Sequence, residues 1–295
     1  MRIGIHARTG GDLRGALTYA AEVGAECVQV FAKSPKRWYA PDLDPTLAAE
    51  VRDLAPACGV APLFTHTAYL INLGSADDAL WLRSTDALAD ELRRGAALGA
   101  RGVVTHIGTN PYGDVALAAS RIARAAETAC SAAGDDAARL LLLENSAGAG
   151  SSFGGSFEEL SAVFHVLDGT GLDVGVCLDT CHAHAYGYEL SSADAWVRVL
   201  DGIDGCCGTG RLRLLHANDC GFPLGSRRDR HAWIGDGAIG QAGFEAMVCQ
   251  ERLADVPAVM EMPGDPPGKD VVNLTRLKTA RDACAGRGGG GGPRP

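Results

Sequence analysis

At 295 residues, 46% hydrophobic and 21% charged, the chain is long enough to bury a full core, and one large α/β barrel accounts for the length as well as two smaller domains. A formal net charge of −9 excludes a nucleic-acid binder that works by bulk positive charge, although divalent cations would offset acidic groups clustered in a site. No basic start leads into an apolar run and no uncharged apolar stretch of about 18 residues is present, so a cytoplasmic protein without membrane contact is expected.

In chain order, a β-branched run predicts a strand over 3–7, and alanine at helical spacing predicts a helix over 13–23. Strands over 27–32 and 62–67 follow, then a helix over 78–98, whose end Gly99 marks as a left-handed C-cap. A strand over 102–107 leads to a helix over 115–132, and a strand over 139–145 to a helix over 157–167. That helix opens on Ser156 with Glu159 three residues on, a capping-box pattern. A strand over 174–179 and a helix over 193–200, a strand over 211–218 and a helix over 244–253, and a strand over 258–262 and a helix over 271–285 complete the series. Eight strands alternating with helices imply a parallel sheet closed into a (β/α)8 TIM barrel spanning 1–285 as one domain, with an open doubly wound sheet as the alternative. The tail 286–295, GRGGGGGPRP, cannot bury anything and is expected to be disordered.

The ten cysteines include no CxxC pair and no small secreted frame, so they read as reduced and mostly buried. Cys181 and Cys220 fall near the residues discussed next, which leaves their roles open.

In a barrel of this kind chemistry sits at the C-terminal strand ends. His66 ends the third strand in LFTHTAYL, His106 the fourth in VVTHIG and Glu144 the fifth in LLLEN. Asp179 ends the sixth in CLDTCH with His182 one helical turn on, His216 ends the seventh in LLHAND, and Glu261 ends the eighth in VMEMP. The loop GSRRDRH adds Asp229 and His231. A single strand-end histidine such as His106 is more often a hydrogen-bonded structural residue. An ionised glutamate behind three leucines is costly without a cation, and five of the eight histidines reach one rim together with four carboxylates. This joint pattern is a metal site, with Glu144, Asp179 and Glu261 as its catalytic carboxylates. Imidazole and carboxylate donors suit zinc, and manganese or iron less specifically, and nine donors are too many for one ion. His165 lies in a helix and reads as structural, while His6 and His184 lie near the rim as supporting residues.

At these residues the sequence resembles the endonuclease IV family of zinc-dependent apurinic/apyrimidinic endonucleases. The resemblance runs through HTAYLINLG, LLLENSAGAG, CLDTCHAHAYGY and HANDCGFPLGSRRDRHAWIGDG and covers the chain to about residue 285. It implies three zinc ions per chain, with manganese an alternative at one position. The first would lie on His66, His106 and Glu144, the second on Glu144, Asp179, His216 and Glu261, and the third on His182, Asp229 and His231. A hydroxide between the first two would attack the phosphorus on the 5′ side of an abasic site in duplex DNA, leaving a 3′-hydroxyl and a 5′-deoxyribose phosphate. A monomer acting in base excision repair is expected, at the nucleoid if the cell is prokaryotic.

The resemblance also assigns DNA contacts. Tyr69 and Leu70 match an aromatic-leucine pair that enters the base stack, the kind of apolar wedge that opens a base step. FAKSPKRW puts Lys36 where the family commonly carries arginine, with Arg37 beside it, so either residue fits the gap. The cluster Arg227, Arg228 and Arg230 is placed for phosphate contacts. Two departures touch no ligand: Ala7 and Arg8 follow His6 where a serine is usual, and Ala149 replaces a glutamine. Metal-dependent sugar isomerases and epimerases use the same barrel and remain the alternative, as does a metal-binding protein without catalysis. The set His182, Asp229 and His231 argues against the first, and the complete set of nine donors against the second.

Overall fold

Residues 1–262 and 268–288 are described by the computed structural model. The chain runs β1 (Ile3–His6), α1 (Leu13–Glu22), β2 (Val28–Phe31), α2 (Pro45–Ala57), β3 (Leu63–His66), α3 (Asp78–Ala97) and β4 (Gly102–His106). It continues through α4 (Val115–Ala133), α5 (Asp135–Ala138), β5 (Leu141–Glu144), α6 (Phe157–Leu167), β6 (Gly175–Asp179), α7 (Thr180–Tyr186), α8 (Ala193–Cys207) and β7 (Leu212–His216). A two-stranded ribbon of β8 (Asp219–Cys220) and β9 (His231–Ala232) precedes α9 (Gly240–Val248), β10 (Ala258–Met260) and α10 (Lys269–Gly288). Eight strands close in the order β1-β10-β7-β6-β5-β4-β3-β2, all parallel, which settles the closed barrel against the open sheet.

Side-chain alternation along the strands builds the site. One plug of buried residues, Cys27, Phe64, Val104, Leu142, Cys177, Leu214 and Val259, fills the barrel interior, apart from the larger core between strands and helices. Successive residues of a strand point to opposite faces, so the residue two further on returns to the interior. Two steps beyond these plug residues stand Gln29, His66, His106, Glu144, Asp179, His216 and Glu261. The polar layer is therefore the next layer up, seated on an apolar floor. Strand register adds lateral order, with His106 opposite Glu144 and Asp179 opposite His216. At the equivalent place on β1, below His6, only glycine fits: a Cβ on Gly4 would sit 1.8 Å from the Cys27 carbonyl oxygen.

The termini form as their sequences dictate. Ser156 and Glu159 make the capping box of α6, and Gly99 follows α3 at φ 71°. Three helices escape the periodicity, the four-residue α5 and also α2 and α7. α2 carries Pro45 in its first turn, where a missing N–H costs nothing, and Asp44 caps it through the Thr46 amide. α7 is a short helix whose N-cap is Asp179 itself. α9 begins at Gly240 rather than 244, and α10 continues through Gly288, so only 289–295 of the expected tail lie outside the described residues.

The reading of all cysteines as reduced is corrected. Cys249 and Cys284 form a disulfide, with Cα atoms 5.6 Å apart, because α9 and α10 pack side by side and bring together residues 35 apart in sequence. The remaining eight are free thiols, with Cys58 and Cys206 only partly buried. Among the described residues no helix is long and apolar enough to cross a membrane.

Candidate metal centre

The nine rim residues gather into three groups, the first two sharing Glu144, and within each group the donor atoms lie within 4.8 Å of one another: His66, His106 and Glu144; Glu144, Asp179, His216 and Glu261; and His182, Asp229 and His231. Glu144 joins the first two groups through different oxygens. Its Oε2 is 3.1 Å from His66 Nε2 and 3.3 Å from His106 Nδ1, while its Oε1 is 3.0 Å from His216 Nδ1. Asp179 Oδ2 lies 3.9 Å from His216 Nδ1 and 3.6 Å from His231 Nε2. Asp229, on the ribbon loop and half exposed, brings Oδ2 to 3.2 Å from His182 Nε2 and Oδ1 to 3.4 Å from His231 Nε2.

The imidazoles are oriented as cation ligands need. His66 Nδ1 meets the Thr67 carbonyl at 2.8 Å, His182 Nδ1 the Asn145 carbonyl at 2.9 Å and His231 Nδ1 the Glu261 carbonyl at 3.0 Å. A carbonyl only accepts, so each Nδ1 is the donor and each Nε2 is the nitrogen left facing the carboxylates, the one whose lone pair a cation would take. His216 is turned the other way, with Nε2 against Gln29 Oε1 at 3.0 Å and Nδ1 toward the carboxylates. Among the described residues no lysine or arginine pairs with Glu144, Asp179, Asp229 or Glu261. Three of these carboxylates are largely buried, and among the described residues the ionisable groups of opposite charge that face them are imidazoles. A divalent cation is the remaining means of compensating such a set. Donor type, orientation and charge therefore fit metal ions.

The ionisation equilibria express the same crowding. Burial would raise the Glu144 carboxyl, yet His106 and His216 hold it well below the usual carboxylate range. Glu261 behaves likewise beside His216 and His6. Burial opposes charge on His182 and His216, but the carboxylates around them, with Cys177 beside His216, hold their protonated forms well above the ordinary imidazole value.

His6 was expected near the rim as a supporting residue, whereas Gln29, Asn218, Asn145 and Asp219 carried no sequence signal strong enough to single them out. Gln29 Nε2 donates to Glu261 Oε1 at 2.9 Å, and His6 Nδ1 lies 2.8 Å from the same oxygen. Asn218 donates from Nδ2 to Asp179 Oδ2 at 2.6 Å and accepts the Glu261 amide at 2.7 Å. Asn145 accepts the Asp179 amide at 2.6 Å. Buried Asp219 accepts the backbone amides of Gly235, Gly237 and Ile239 and so fixes the turn that follows β9, the strand that carries His231. Gln29 was findable from alternation, since it stands two residues beyond Cys27. Of the remaining histidines, His165 is exposed on α6 and His184 is buried in α7, outside all the donor groups. Cys181 Sγ shares a fourth group with Asp179 and His231, and Cys220 is buried nearby on β8.

A cleft of about 300 Å³ opens over the centre, lined by His66, His106, His182, Asp229, His231 and Glu261 and by Tyr69 and Arg8. Leu70 lines an adjoining cleft that shares Tyr69, His106, His182 and Asp229. Tyr69 is 59% exposed despite its edge contact with Phe31 at 5.4 Å. Lys36 and Arg37 are both exposed on the loop after β2 and stand outside the clefts. Arg227 stacks its guanidinium 3.5 Å over Tyr186 and Arg228 lies 3.8 Å over Phe222, while Arg230 is exposed. Arg8, noted in the sequence only as a departure, is the one formally cationic side chain among the residues lining the first cleft.

The model for xylose isomerase-like TIM barrels matches residues 17–283. A probable endonuclease 4 of Solibacter usitatus is 38% identical over 281 residues, covering 95% of this chain and 96% of its own length. The crystal structure of endonuclease IV from Thermus thermophilus superposes with a TM-score of 0.84 at 34% identity, over 96% of this chain and 100% of that one. A D-tagatose 3-epimerase-like protein superposes at 0.72 with 17% identity over 97% and 99% of the two chains, a likeness of fold alone.

Proposed function

The chain belongs to the endonuclease IV family within the xylose isomerase-like TIM barrels, and from that premise we propose that it is a DNA repair nuclease acting at apurinic/apyrimidinic sites in duplex DNA. It hydrolyses the phosphodiester on the 5′ side of the lesion and leaves a 3′-hydroxyl and a 5′-deoxyribose phosphate. The observation that carries this reading is the divided carboxylate of Glu144, one oxygen facing His66 and His106 and the other His216, with a third donor group beside them. Overlapping sites of this kind suit in-line displacement at phosphorus, where attacking and leaving oxygens both carry charge.

Three zinc ions fit the donors, on His66, His106 and Glu144, on Glu144, Asp179, His216 and Glu261, and on His182, Asp229 and His231. When bound, such ions lower the pKa of water into the neutral range and offset the charge that builds on the phosphate. The protein's own groups do the positioning. Gln29 and His6 hold Glu261, Asn145 and Asn218 hold Asp179, and Asp219 holds the turn that follows His231 and β9. Tyr69 and Leu70 stand at the rim where they meet DNA beside the lesion, and Lys36 or Arg37 reaches the same gap from the loop after β2. Arg8 and the cluster Arg227, Arg228 and Arg230 supply local positive charge to a chain whose net charge is −9. Proton transfer on a sugar needs one or two metals and no third group, so the complete set His182, Asp229 and His231 favours the nuclease over an epimerase.

A duplex oligonucleotide with one abasic analogue is expected to be nicked on the 5′ side to a 3′-hydroxyl by protein carrying about three zinc per chain. Full metal loading without incision refutes the nuclease. Zinc binding is also expected to release protons and to weaken as pH falls. The sign follows from the raised imidazole values of His182 and His216: protons held above the ordinary range must leave before a nitrogen lone pair can bind. Calorimetric titration in two buffers of different ionisation enthalpy measures that release, and identical heats in both would contradict it.

A further inference from the structure

Beneath the rim, away from the metal donors, lies a second charged cluster. Lys33 follows β2, and Asp90, Glu91 and Arg94 stand on α3. The side chains of Lys33 and Glu91 are each 1% exposed. Lys33 Nζ is 2.7 Å from Asp90 Oδ2, 3.6 Å from Glu91 Oε1 and 3.1 Å from the Trp38 carbonyl. Arg94 donates from Nε to Asp90 at 2.9 Å and from Nη2 to the carbonyls of Ala40 at 3.2 Å and Pro41 at 2.7 Å. Glu91 Oε1 accepts the Ala68 amide at 3.2 Å.

Every backbone group held here belongs to one of two loops. Trp38, Ala40 and Pro41 close the loop that exposes Lys36 and Arg37, and Ala68 precedes the exposed Tyr69. The loops also meet directly, where the Tyr69 amide donates to the Pro35 carbonyl at 3.1 Å. Burying charges to pack a helix is expensive, and apolar residues of similar volume serve stability as well or better. Glu91 carries that cost openly: its Oε2 has no hydrogen-bond partner among the described residues, and burial pushes its carboxyl up to about 7 although Lys33 opposes the shift. What an apolar contact could not supply is directional attachment of two loops to one helix.

We propose that Lys33, Asp90, Glu91 and Arg94 form a positioning cluster that fixes the loops after β2 and β3 relative to each other, so that the side chains at 36–37 and 69–70 meet a duplex as one preorganised pair. The proposal rests on the nuclease reading, since it gives the cluster a role in DNA engagement and none in the chemistry. Misplacement by about an ångström at a positioning group can cost up to about a hundredfold, and the loss here falls on DNA engagement.

The test compares wild type with Glu91→Gln and with the doubly apolar Lys33→Met/Glu91→Leu, which fills the volume without charges. Both variants are expected to keep the wild-type zinc content and to melt no lower than a destabilised surface variant would. The KM for an abasic duplex is expected to rise about tenfold or more while kcat stays within about threefold. Without DNA, hydrogen exchange at the amides of 34–37 and 68–70 is expected to quicken in both variants while exchange in the strands is unchanged. Unchanged exchange in these loops, an unchanged KM, or a fall in kcat that tracks lost zinc overturns the cluster's role. Failure of the wild type to incise while the loop amides still respond removes the nuclease reading instead, because the exchange measurement needs no DNA.

Discussion

Glu144→Gln is expected to reduce abasic-site incision by about ten thousandfold or more, equivalent to roughly 5.5 kcal/mol of lost transition-state stabilisation. The substitution keeps the shape and removes the charge at the point where two donor groups meet. Glu144 Oε2 faces His66 and His106, its Oε1 faces His216, and its side chain is 1% exposed, so no water can replace the missing carboxylate. An amide offers one accepting oxygen and an NH2 that only donates, and whichever way it turns, one group confronts a donor where it needs an acceptor. Zinc content is expected to fall from about three to about one per chain, leaving the group of His182, Asp229 and His231 loaded. Elemental analysis and single-turnover incision check both parts. A variant that keeps its full metal complement and its rate would show that Glu144 is not shared.

Glu144 was legible in the sequence as a buried strand-end carboxylate because strand alternation is a short-range code, while its sharing between two ions was what the family resemblance implied. LLLEN, VVTHIG and CLDTCH announce a buried polar residue at a strand end, and the barrel's rule about which rim carries chemistry makes the ends converge. Gln29 obeys the same code but drew no attention, since glutamine is not a usual ligand and its value lies in the hydrogen bond it donates to Glu261 and the one it accepts from His216. Where the structure departs from the reading, the cause is long-range. The disulfide joins residues 35 apart through the packing of two helices. Asp90, Glu91 and Arg94 drew no attention because nothing nearby in sequence says that a loop far upstream covers them. α2 hides behind prolines that a helix tolerates at those two places but that punctuate loops elsewhere. Arg8 looked like a lost serine and proves to line the cleft, a change of charge that only the closed barrel makes visible.

Glu261→Gln separates chemistry from binding at the same centre. Glu261 differs from Glu144 in being at the surface of the cleft, 18% exposed, and in belonging to one donor group. Its Oε1 is held by His6 and Gln29, and an amide oxygen there keeps the bond from Gln29. Its Oε2 lies 3.3 Å from His216 Nδ1, on the side that a cation in the second group would share, and an NH2 there cannot serve. The other two groups are complete without it, so zinc is expected to fall by about one equivalent and kcat by about a thousandfold. The residues proposed to meet DNA, Lys36, Arg37, Tyr69, Leu70, Arg227, Arg228 and Arg230, are untouched, so the Kd for an abasic duplex is expected to stay within about threefold of wild type. Because Glu144 and Glu261 both act through His216, the double variant is expected to be scarcely slower than Glu144→Gln alone, as for residues that work as one unit. A wild-type rate in Glu261→Gln removes this residue from the site, and a loss of DNA affinity matching the loss of rate makes it a binding residue.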